Sequence, residues 1–389
     1  MSTMVLRIAE AEDRKVVGPV LAHSYSFAAS DVPMWLERAG HENLHVLEEQ
    51  GAITGSFIAM PMGQFFGGRS VRTFGVGGVA IPVPQRGKGA ATRMLTEALR
   101  LARKNRFALS TLFPTTLPVY QRVGYQCAGH RLKTTVDLRQ QRLPKGQLRI
   151  EEHVAPPDEV KALYRKVAQH CAGHLDRGPY VWGRVTAPRG AAKRTFTFHG
   201  DKRLEGYVIA IHQMTASGST SVAIIDAAAV TRAGGEAIWS LVSGYQSIAT
   251  EAVLHGGTEG FLQSLLPERS YRTEWVDSWM VRICDPVLAL RSRGYPPVSA
   301  RVTLLLTDAA LPENSGTYTL AVAGGRGVVE RGAGTKGARL TERALAALYT
   351  GFLSPWELRR LGTLTCSDDE AAVLSMLFAG RAPSMPDAF

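Results

Sequence analysis

One stretch of the sequence combines glycines, cations and the start of a helix. Residues 77–104 read GGVAIPVPQRGKGAATRMLTEALRLARK, in which strand-like VAI is followed by RGKGAA and then by a helical pattern. The apolar face of this predicted helix comprises Met94, Leu95, Ala98, Leu99 and Ala102. A glycine-rich turn at a helix start exposes unpaired backbone N–H groups beside the positive end of the helix dipole. With the charges of Arg86 and Lys88, the stretch predicts a cradle for an anion such as a phosphate.

The spacing of this turn excludes two common nucleotide-binding motifs. No G-K-[ST] follows a glycine after four spacer residues, and the G-x-G-x-x-G pattern is also missing from the turn. What remains is R-x-x-G-x-A, supplied by Arg86, Gly89 and Ala91. One alternative is an ordinary strand-to-helix turn with surface arginines. The pattern resembles the pyrophosphate-binding arm of GCN5-related N-acetyltransferases (GNATs), which hold acetyl coenzyme A (acetyl-CoA).

A tyrosine follows at a second informative place, the segment LPVYQRVGYQCAG at residues 117–129. In GNATs a helix-borne tyrosine commonly precedes a "GF" or "GY" turn, where its hydroxyl meets the thiolate of departing coenzyme A. Tyr120 has that place, and Tyr125 occupies the turn. A phenol with a pKa of about 10 stays protonated at pH 7 and can donate its proton to such a thiolate. A packed aromatic residue on a short helix is the alternative for Tyr120.

Hydrophobic periodicity divides the chain into three segments. The first 140 residues mix strands and helices, and a polar, turn-rich stretch, RQQRLPKGQ, closes them at residues 139–147. Residues 150 to about 285 repeat this order, with a strand hairpin, the buried strand SVAIIDAAAV and a helix over residues 234–250, so we expect a diverged copy of the first segment. The last hundred or so residues predict glycine-joined strands covered by helices. The fold class is therefore mixed α/β, with a C-terminal α+β unit.

Taken together, these segments resemble the Eis (enhanced intracellular survival) family of acetyltransferases. The resemblance implies a GNAT domain at residues 1–145, a degenerate GNAT-like domain at 146–288 and a sterol carrier protein (SCP2)-like domain at 289–389. It also implies acetyl-CoA as co-substrate and an amine as acceptor, notably an aminoglycoside or a lysine or peptide amine. Members of that family assemble as hexamers, so a homo-hexamer is expected.

The resemblance also assigns roles to individual residues. Trp35 matches an aromatic residue that lines the amine pocket of the family, although a core tryptophan is an alternative. The backbone of the strand end would bind pantetheine, the cradle would bind pyrophosphate, and two threonines would lie beside the cofactor. The residues expected to contact acetyl-CoA are Val79, Ala80, Ile81, Arg86, Gly87, Lys88, Gly89, Ala90, Ala91, Thr92, Thr115 and Thr116.

The second segment also contains an R-x-x-G-x-A pattern, at Arg232, Gly235 and Ala237. Glu236 stands where the first copy has Ala90, which places a carboxylate near any phosphate, and no YQRVGY follows. We therefore expect this copy to be structural. Cys127 has no His or Asp partner nearby in the sequence, so direct transfer without an acyl-enzyme is expected.

Composition limits the remaining function classes. The chain has 45 Lys and Arg against 34 Asp and Glu, a formal charge of +11, which suits anionic ligands. The cations are scattered and form no run with interleaved aromatics, so no nucleic-acid surface is predicted. No apolar leader or membrane-length segment is found, which predicts a cytoplasmic protein without a membrane partner. The cluster His170-Cys171-Ala172-Gly173-His174 lacks a second ligand pair, so no metal is expected.

The sequence ends in PSMPDAF, residues 383–389. An amine must lose a proton before it attacks a thioester, and no Glu or His of the first segment has a compelling placement as the base. The resembled family uses its C-terminal carboxylate, which belongs here to Phe389, while the acid expected beside it is replaced by Ala388 and Asp387 lies one place earlier. For Phe389, the alternative is an aromatic chain end that is docked only for stability.

For the whole protein, the rival function is that of a lipid-binding or scaffolding protein with relic acetyltransferase units.

Overall fold

The computed structural model of the protein describes residues 4–140, 148–187, 193–214, 218–258 and 260–389. The first predicted domain boundary, at residues 145 and 146, and most of the polar stretch around it lie outside the described residues. None of the described helices is both long and apolar enough to span a membrane.

The chain contains the following helices and strands. The helices are α1 (Asp13–Tyr25), α2 (Val32–Ala39), α3 (Ala90–Lys104), α4 (Leu117–Gln121), α5 (Asp158–Ala168), α6 (Pro179–Thr186), α7 (Arg232–Ser243), α8 (Pro286–Ser292), α9 (Glu342–Thr350), α10 (Pro355–Arg360) and α11 (Asp368–Leu377). The strands are β1 (Met4–Ile8), β2 (Leu44–Glu49), β3 (Ala52–Phe66), β4 (Arg69–Ala80), β5 (Leu109–Leu112), β6 (Gln126–Asp137), β7 (Arg149–His153), β8 (Leu175–Asp176), β9 (Lys193–His199), β10 (Leu204–Met214), β11 (Thr220–Ala229), β12 (Glu251–Gly256), β13 (Tyr271–Ile283), β14 (Ala300–Thr307), β15 (Gly316–Ala323), β16 (Arg326–Gly332), β17 (Ala338–Thr341) and β18 (Leu364–Thr365).

These elements form two compact units. The first comprises the chain up to Gly129 together with Ser278–Ala382 and Phe389, and the second comprises His130–Asp277 and Pro383–Ala388. The chain passes from the first unit to the second within β6 and returns within β13. The first unit therefore contains segments that are far apart in the sequence.

In the first unit, strands β1 to β5 follow one another in one sheet, and the end of β13 pairs with the far side of β5. Pairs β1–β2, β2–β3 and β3–β4 are antiparallel, whereas β4 and β5 are parallel. A parallel pair requires a crossover connection, and α3 supplies it. The predicted amphipathic helix is confirmed, because Met94, Leu95, Ala98, Leu99 and Ala102 are all buried.

Strand β4 extends beyond its pairing with the parallel strand β5. The pairing of β4 with β5 covers Thr73 to Gly75, whereas β4 continues to Ala80. Its register against β3 shifts within this continuation, where Gly78 has a φ of 58°. Such a bulge bends a strand and leaves the ladder locally open. The last residues of β4 therefore form a bulged strand end, which is the name used for residues 76–80 below.

The first unit also contains a five-stranded sheet in the order β16-β15-β14-β17-β18. Helices α9 and α11 pack on it, and α11 begins with a capping box between Ser367 and Glu370. All residues of α9 from Ala344 to Thr350 are buried, so this part of the helix is covered on every side. The predicted C-terminal α+β unit is confirmed.

The second unit repeats the plan of the first. Its strands follow the order β6-β12-β11-β10-β9-β7, in which β9 and β10 form the predicted hairpin and β11 and β12 are parallel. Helix α7 connects the parallel pair, but it ends at Ser243, before the end of the predicted helix. The core around the buried Trp239 includes Phe198, Val222 and Ile238. A second GNAT-like fold was therefore correctly predicted.

A buried ion pair links the late segment of the first unit to the segment after α4. Arg282, which is 1% exposed, donates from Nη2 to both oxygens of Asp308 at 2.6 and 2.7 Å, and from Nε to the Val123 carbonyl at 2.9 Å. Asp308 also accepts from the backbone N–H of Leu311 and from Asn314 Nδ2. Such a charge pair tolerates burial because its hydrogen-bonding capacity is used.

We expect Asp308→Ala to lower the free energy of unfolding by about 3–5 kcal/mol, because it removes the carboxylate to which the buried Arg282 guanidinium is hydrogen-bonded. Urea denaturation followed by circular dichroism measures the change. The control is Glu330→Ala, which removes an exposed partner of Arg301 and should cost no more than about 1 kcal/mol. Equal losses in the two variants would contradict the role assigned to the buried pair.

Candidate functional site

The glycine-rich turn before α3 has the geometry of an anion cradle. Gly87 and Gly89 have φ values of 75° and 81°, which residues other than glycine rarely adopt. Gly89 is the residue that caps α3, and it has no side chain with which to satisfy the first N–H groups of the helix. Those N–H groups therefore remain available to a ligand at the positive end of the helix dipole.

The other predicted cradle residues surround this turn. Arg86 and Lys88 are exposed, and the Nε of Arg86 donates to the Ile81 carbonyl at 3.2 Å. Ala90 is buried, while Ala91 and Thr92 are half-buried in the first turn of α3. The structure thus brings residues 86–92 together at one helix terminus, with the cationic side chains on the solvent side.

An ion pair that was not predicted from the sequence braces the cradle. Arg93 donates from Nε and Nη2 to the two oxygens of Glu49 at 2.6 and 2.9 Å, and from Nη1 to the Lys88 carbonyl at 2.8 Å. The hydrogen bonds from Arg93 lower the pKa of the Glu49 carboxyl. No local signal joins these residues, because 44 positions separate them.

The bulged strand end of β4 contains two of the three residues predicted to bind pantetheine, Val79 and Ala80. An extended ligand can add to such an open strand edge through backbone hydrogen bonds. The carbonyl of Val79 accepts a hydrogen bond of 3.3 Å from the Tyr25 hydroxyl, and that of Ile81, the third residue, accepts from Arg86. Two carbonyls of the predicted pantetheine edge thus have partners in the chain itself.

Tyr120 lies on α4 and is 5% exposed. Burial raises the pKa of its phenol above the ordinary value, and a hydrogen bond with the side chain of Thr115 offsets part of that effect. Thr115 and Thr116 are both exposed where the chain enters α4. Tyr120 is therefore protonated at neutral pH and has the state required of a proton donor.

Two neighbours of Tyr120 are less suited to chemistry. Tyr125 is fully buried, and its hydroxyl lies 2.6 Å from the Ser110 hydroxyl, so it serves the core. Burial raises the pKa of the Cys127 thiol, which disfavours the thiolate form that a nucleophile needs.

Three aromatic rings lie at the bulge. The ring of Trp35 meets those of Tyr25 and Phe27 edge-on, with centroid distances of 5.5 and 5.2 Å. A side chain on Gly78 would come 3.2 Å from the ring of Trp35, so the glycine permits the close approach. Trp35 is 8% exposed, whereas Tyr25 and Phe27 are half-buried and present more surface. We name these three residues the aromatic cluster.

Phe389 also reaches the bulged strand end. A Cβ placed on Gly77 would lie 3.9 Å from the carboxyl carbon of Phe389, and the phenyl ring meets that of Phe113 at 5.6 Å. The terminal carboxyl group and the aromatic cluster are thus positioned by adjacent residues of β4, Gly77 and Gly78. Glu97, an acid on α3, pairs with Arg100 on the same helix.

The matching turn in the second unit has a different structure. Arg232 is the first residue of α7 and pairs with Glu236 at 2.7 Å. The hydroxyl of Thr231 caps the helix by accepting from the Gly234 N–H, and it donates to a Glu205 carboxylate oxygen at 2.6 Å. The side chains of Thr231 and Glu205 therefore occupy the helix start that is open in the first unit.

A further restriction comes from packing in this second turn. A Cβ on Gly235 would come within 2.4 Å of the Leu265 side chain and 2.9 Å of the Phe261 ring. Gly235 is therefore required for close helix packing rather than for the approach of a ligand. Among the described residues, no group of three or more His, Cys, Asp or Glu side chains could hold a metal ion.

Comparison with known proteins agrees with this architecture. Residues 7–128 and 173–283 each match a family described as an acetyltransferase (GNAT) domain, and residues 286–386 match a sterol carrier protein domain. An uncharacterized N-acetyltransferase of Streptomyces avermitilis is 26% identical over 388 residues, which cover 88% of this chain and 92% of that protein.

Solved structures extend the comparison over the whole chain. A GCN5-related N-acetyltransferase from Anabaena variabilis superposes with a TM-score of 0.95 at 27% identity, and all of both chains is covered. Eis1 from Mycobacterium abscessus superposes with a TM-score of 0.79 at 20% identity, again over both whole chains, and shows the same fold. The chain is therefore an N-acetyltransferase built from two GNAT domains and a C-terminal sterol carrier protein domain.

Proposed function

We propose that the protein transfers the acetyl group of acetyl-CoA directly to a primary amine of a small cationic substrate. The observation that carries the proposal is the position of the Phe389 carboxyl group beside Gly77, at the bulged strand end of β4. This position supplies a base beside the strand edge that the cofactor is proposed to use. Tyr120 is the proposed general acid and the Phe389 carboxylate the proposed general base.

The chain's residues fit acetyl-CoA at two places. The N–H groups at the start of α3, with Arg86 and Lys88, suit a pyrophosphate, because the charge and the helix dipole act together. The strand end from Val79 to Ile81 suits an extended chain with amide groups, which would replace Tyr25 and Arg86 as the partners of two of its carbonyls. The cofactor supplies the activated acetyl thioester.

The proton transfers follow from the chemistry of the two groups. The Phe389 carboxylate accepts a proton from the ammonium group, directly or through one water, which frees the nitrogen lone pair. The Tyr120 hydroxyl gives its proton to the departing sulfur, and the second proton that the nitrogen loses as the amide forms returns the phenol to its neutral form.

The aromatic cluster supports a cationic acceptor. A ring face attracts an ammonium group within about 6 Å through its quadrupole, and this attraction strengthens when the contact is desolvated. Tyr25 and Phe27 are the members with most exposed surface. An aminoglycoside, a polyamine and a lysine side chain all have this chemistry, so protein lysine acetylation is the alternative within the same reaction. The preference for aminoglycosides and the homo-hexamer remain predictions from the resemblance.

The rival from another class is a lipid-binding or scaffolding protein with relic acetyltransferase units. The intact cradle argues against it, since nothing in the described part of the chain fills the start of α3 as Thr231 and Glu205 fill the start of α7. The second unit is the one that resembles a relic, and we propose that a chain binds one acetyl-CoA.

We expect replacement of both Arg86 and Lys88 by Glu to raise KM for acetyl-CoA steeply, and more so at low salt, because repulsion from the phosphates is screened by ions. Steady-state kinetics at two ionic strengths measure this change. The matched control replaces Lys104 and Arg106, at the opposite end of α3 from the cradle, by Glu with the same charge change. If both pairs raise KM equally, the cradle assignment is wrong.

We expect Tyr120→Phe to lower kcat about a hundredfold, within the range for loss of a general acid. The raised pKa means that the parent loses this acid only as pH rises above about 10, so kcat should show no fall from phenol ionisation between neutral and mildly alkaline pH. Thiol release with the best amine from a panel of polyamines, aminoglycosides and lysine peptides is the assay.

Tyr125→Phe is the control for that experiment. It removes the same hydroxyl from a neighbouring ring and loses only the Ser110 contact, so stability should fall by about 1 kcal/mol while turnover persists. Parental kcat in the Tyr120→Phe variant would exclude the phenol as the acid.

We expect deletion of Phe389, or addition of a few residues after it, to lower kcat about a hundredfold, because either change moves the carboxylate. Phe389→Leu keeps the carboxylate and an apolar side chain, so it should retain most of the activity. Acetyl-CoA at a hundred times its Kd should still stabilise every variant by about 2.7 kcal/mol in a thermal shift measurement. Normal turnover by an extended chain would refute the base assignment.

A further inference from the structure

The six residues before Phe389 form a docked segment in the second unit. Pro383, Met385 and Asp387 are buried, whereas the residues between them are half-buried, which is the alternation of an extended strand. The backbone of Ser384 donates to the Ala172 carbonyl at 3.0 Å and forms an isolated parallel bridge with His130. Arg131 Nε donates to the Pro386 carbonyl at 3.0 Å. We call residues 383–388 the tail.

A buried ion cluster holds the last part of the tail. The guanidinium of Arg177 lies between two carboxylates, with Nη1 2.6 Å from Asp226 Oδ2 and Nη2 2.9 Å from Asp387 Oδ1. The side chains of Arg177, Asp226 and Asp387 are 1%, 6% and 4% exposed. Burial alone would lower the pKa of Arg177. The two neighbouring carboxylates outweigh this effect of burial and raise the pKa of Arg177 well above its ordinary value.

Aromatic side chains complete this cluster. The guanidinium carbon of Arg177 lies 3.6 Å from the ring centroid of Tyr164 and 4.7 Å from that of Trp182. The Tyr164 hydroxyl lies 2.8 Å from the Leu175 carbonyl and 3.3 Å from Asp387 Oδ2, so its one proton is shared between them, and the Tyr207 hydroxyl donates to Asp226 Oδ2 at 2.6 Å. Every charged group in the cluster is thus fixed by at least two partners, so Asp387 is held in one position.

The ion cluster lies at the register shift of β11 in the second unit. Strand β11 pairs with β12 only from Ser221 to Ala223 and continues to Ala229, and its register against β10 shifts beside Asp226. This is the same arrangement as the bulged strand end of β4 in the first unit. The tail lies against this region, since a Cβ on Gly257, directly after β12, would come 2.9 Å from the Ser384 side chain.

We propose that the second GNAT domain is a binding site for the chain's own tail, and that Arg177 is a positioning residue which acts through Asp387 on the terminal carboxylate. This step rests on the proposed role of Phe389 as the base. An unanchored chain end would lose its conformational freedom each time the carboxylate entered the site. With Asp387 fixed, only Ala388 separates the anchor from Phe389, and most of that freedom is removed in advance.

The test uses Asp387→Ala in the full chain, which leaves Arg177 neutralised by Asp226 and so should fold. We expect kcat to fall about tenfold or more while KM for acetyl-CoA stays unchanged, since the cradle is untouched. Independently of activity, carboxypeptidase should release Phe389 at least about tenfold faster than from the parent, and amide hydrogen exchange at Ser384 should accelerate. Asp158→Asn, an exposed acid paired with Lys161 in the same unit, is the control and should change neither readout.

Three outcomes separate the two proposals. Deletion of Phe389 in the Asp387→Ala chain should lower kcat no further than deletion alone, because Arg177 and Asp387 act through that residue. A released tail with parental kcat would keep the tail site and refute the positioning role of Arg177, whereas normal turnover after deletion of Phe389 would refute the base itself. A tail that remains protected in Asp387→Ala, whatever the value of kcat, would overturn the anchoring role of the cluster.

Discussion

The bulged strand end of β4 is the constraint on which the candidate site depends. Because β4 continues past its pairing with β5, consecutive residues of one strand reach different parts of the site. Gly77 lies beside the carboxyl group of Phe389, Gly78 leaves room for the ring of Trp35, and the Val79 carbonyl accepts a hydrogen bond from the Tyr25 hydroxyl. Their spacing is therefore set by the backbone of one strand, which leaves little freedom to misplace one part relative to the next.

The two GNAT domains show how one fold can serve different purposes. Both units have a parallel strand pair joined by a helix and a register shift in the longer strand. In the first, glycine conformations keep the start of α3 open, whereas in the second Thr231 and Glu205 close the start of α7. An R-x-x-G-x-A pattern alone does not distinguish these cases, because the decisive carboxylate of Glu205 comes from a separate strand.

The sequence predicted features that local patterns encode. The apolar face of α3 follows from helical periodicity, and the tandem domain order follows from the repeated order of strands and helices; both are confirmed. Features that depend on distant charges were not predictable in this way. Arg93 and Glu49, or Arg177 and Asp387, become partners only after folding. The end of α7 at Ser243 was also missed, since the apolar residues beyond it continue the helical pattern.

The completion of the first sheet has a consequence for how the protein must be made. Residues Met280 to Ile283 pair with Leu109 to Leu112, so a strand synthesised some 170 residues later covers the edge of β5. While only the first GNAT segment has left the ribosome, the edge of β5 has no partner strand. Pairing between strands so distant in sequence is slow, because a long loop must close first. The nascent chain therefore carries an open strand edge, a site of aggregation that chaperones would have to shield, until most of the protein has been translated.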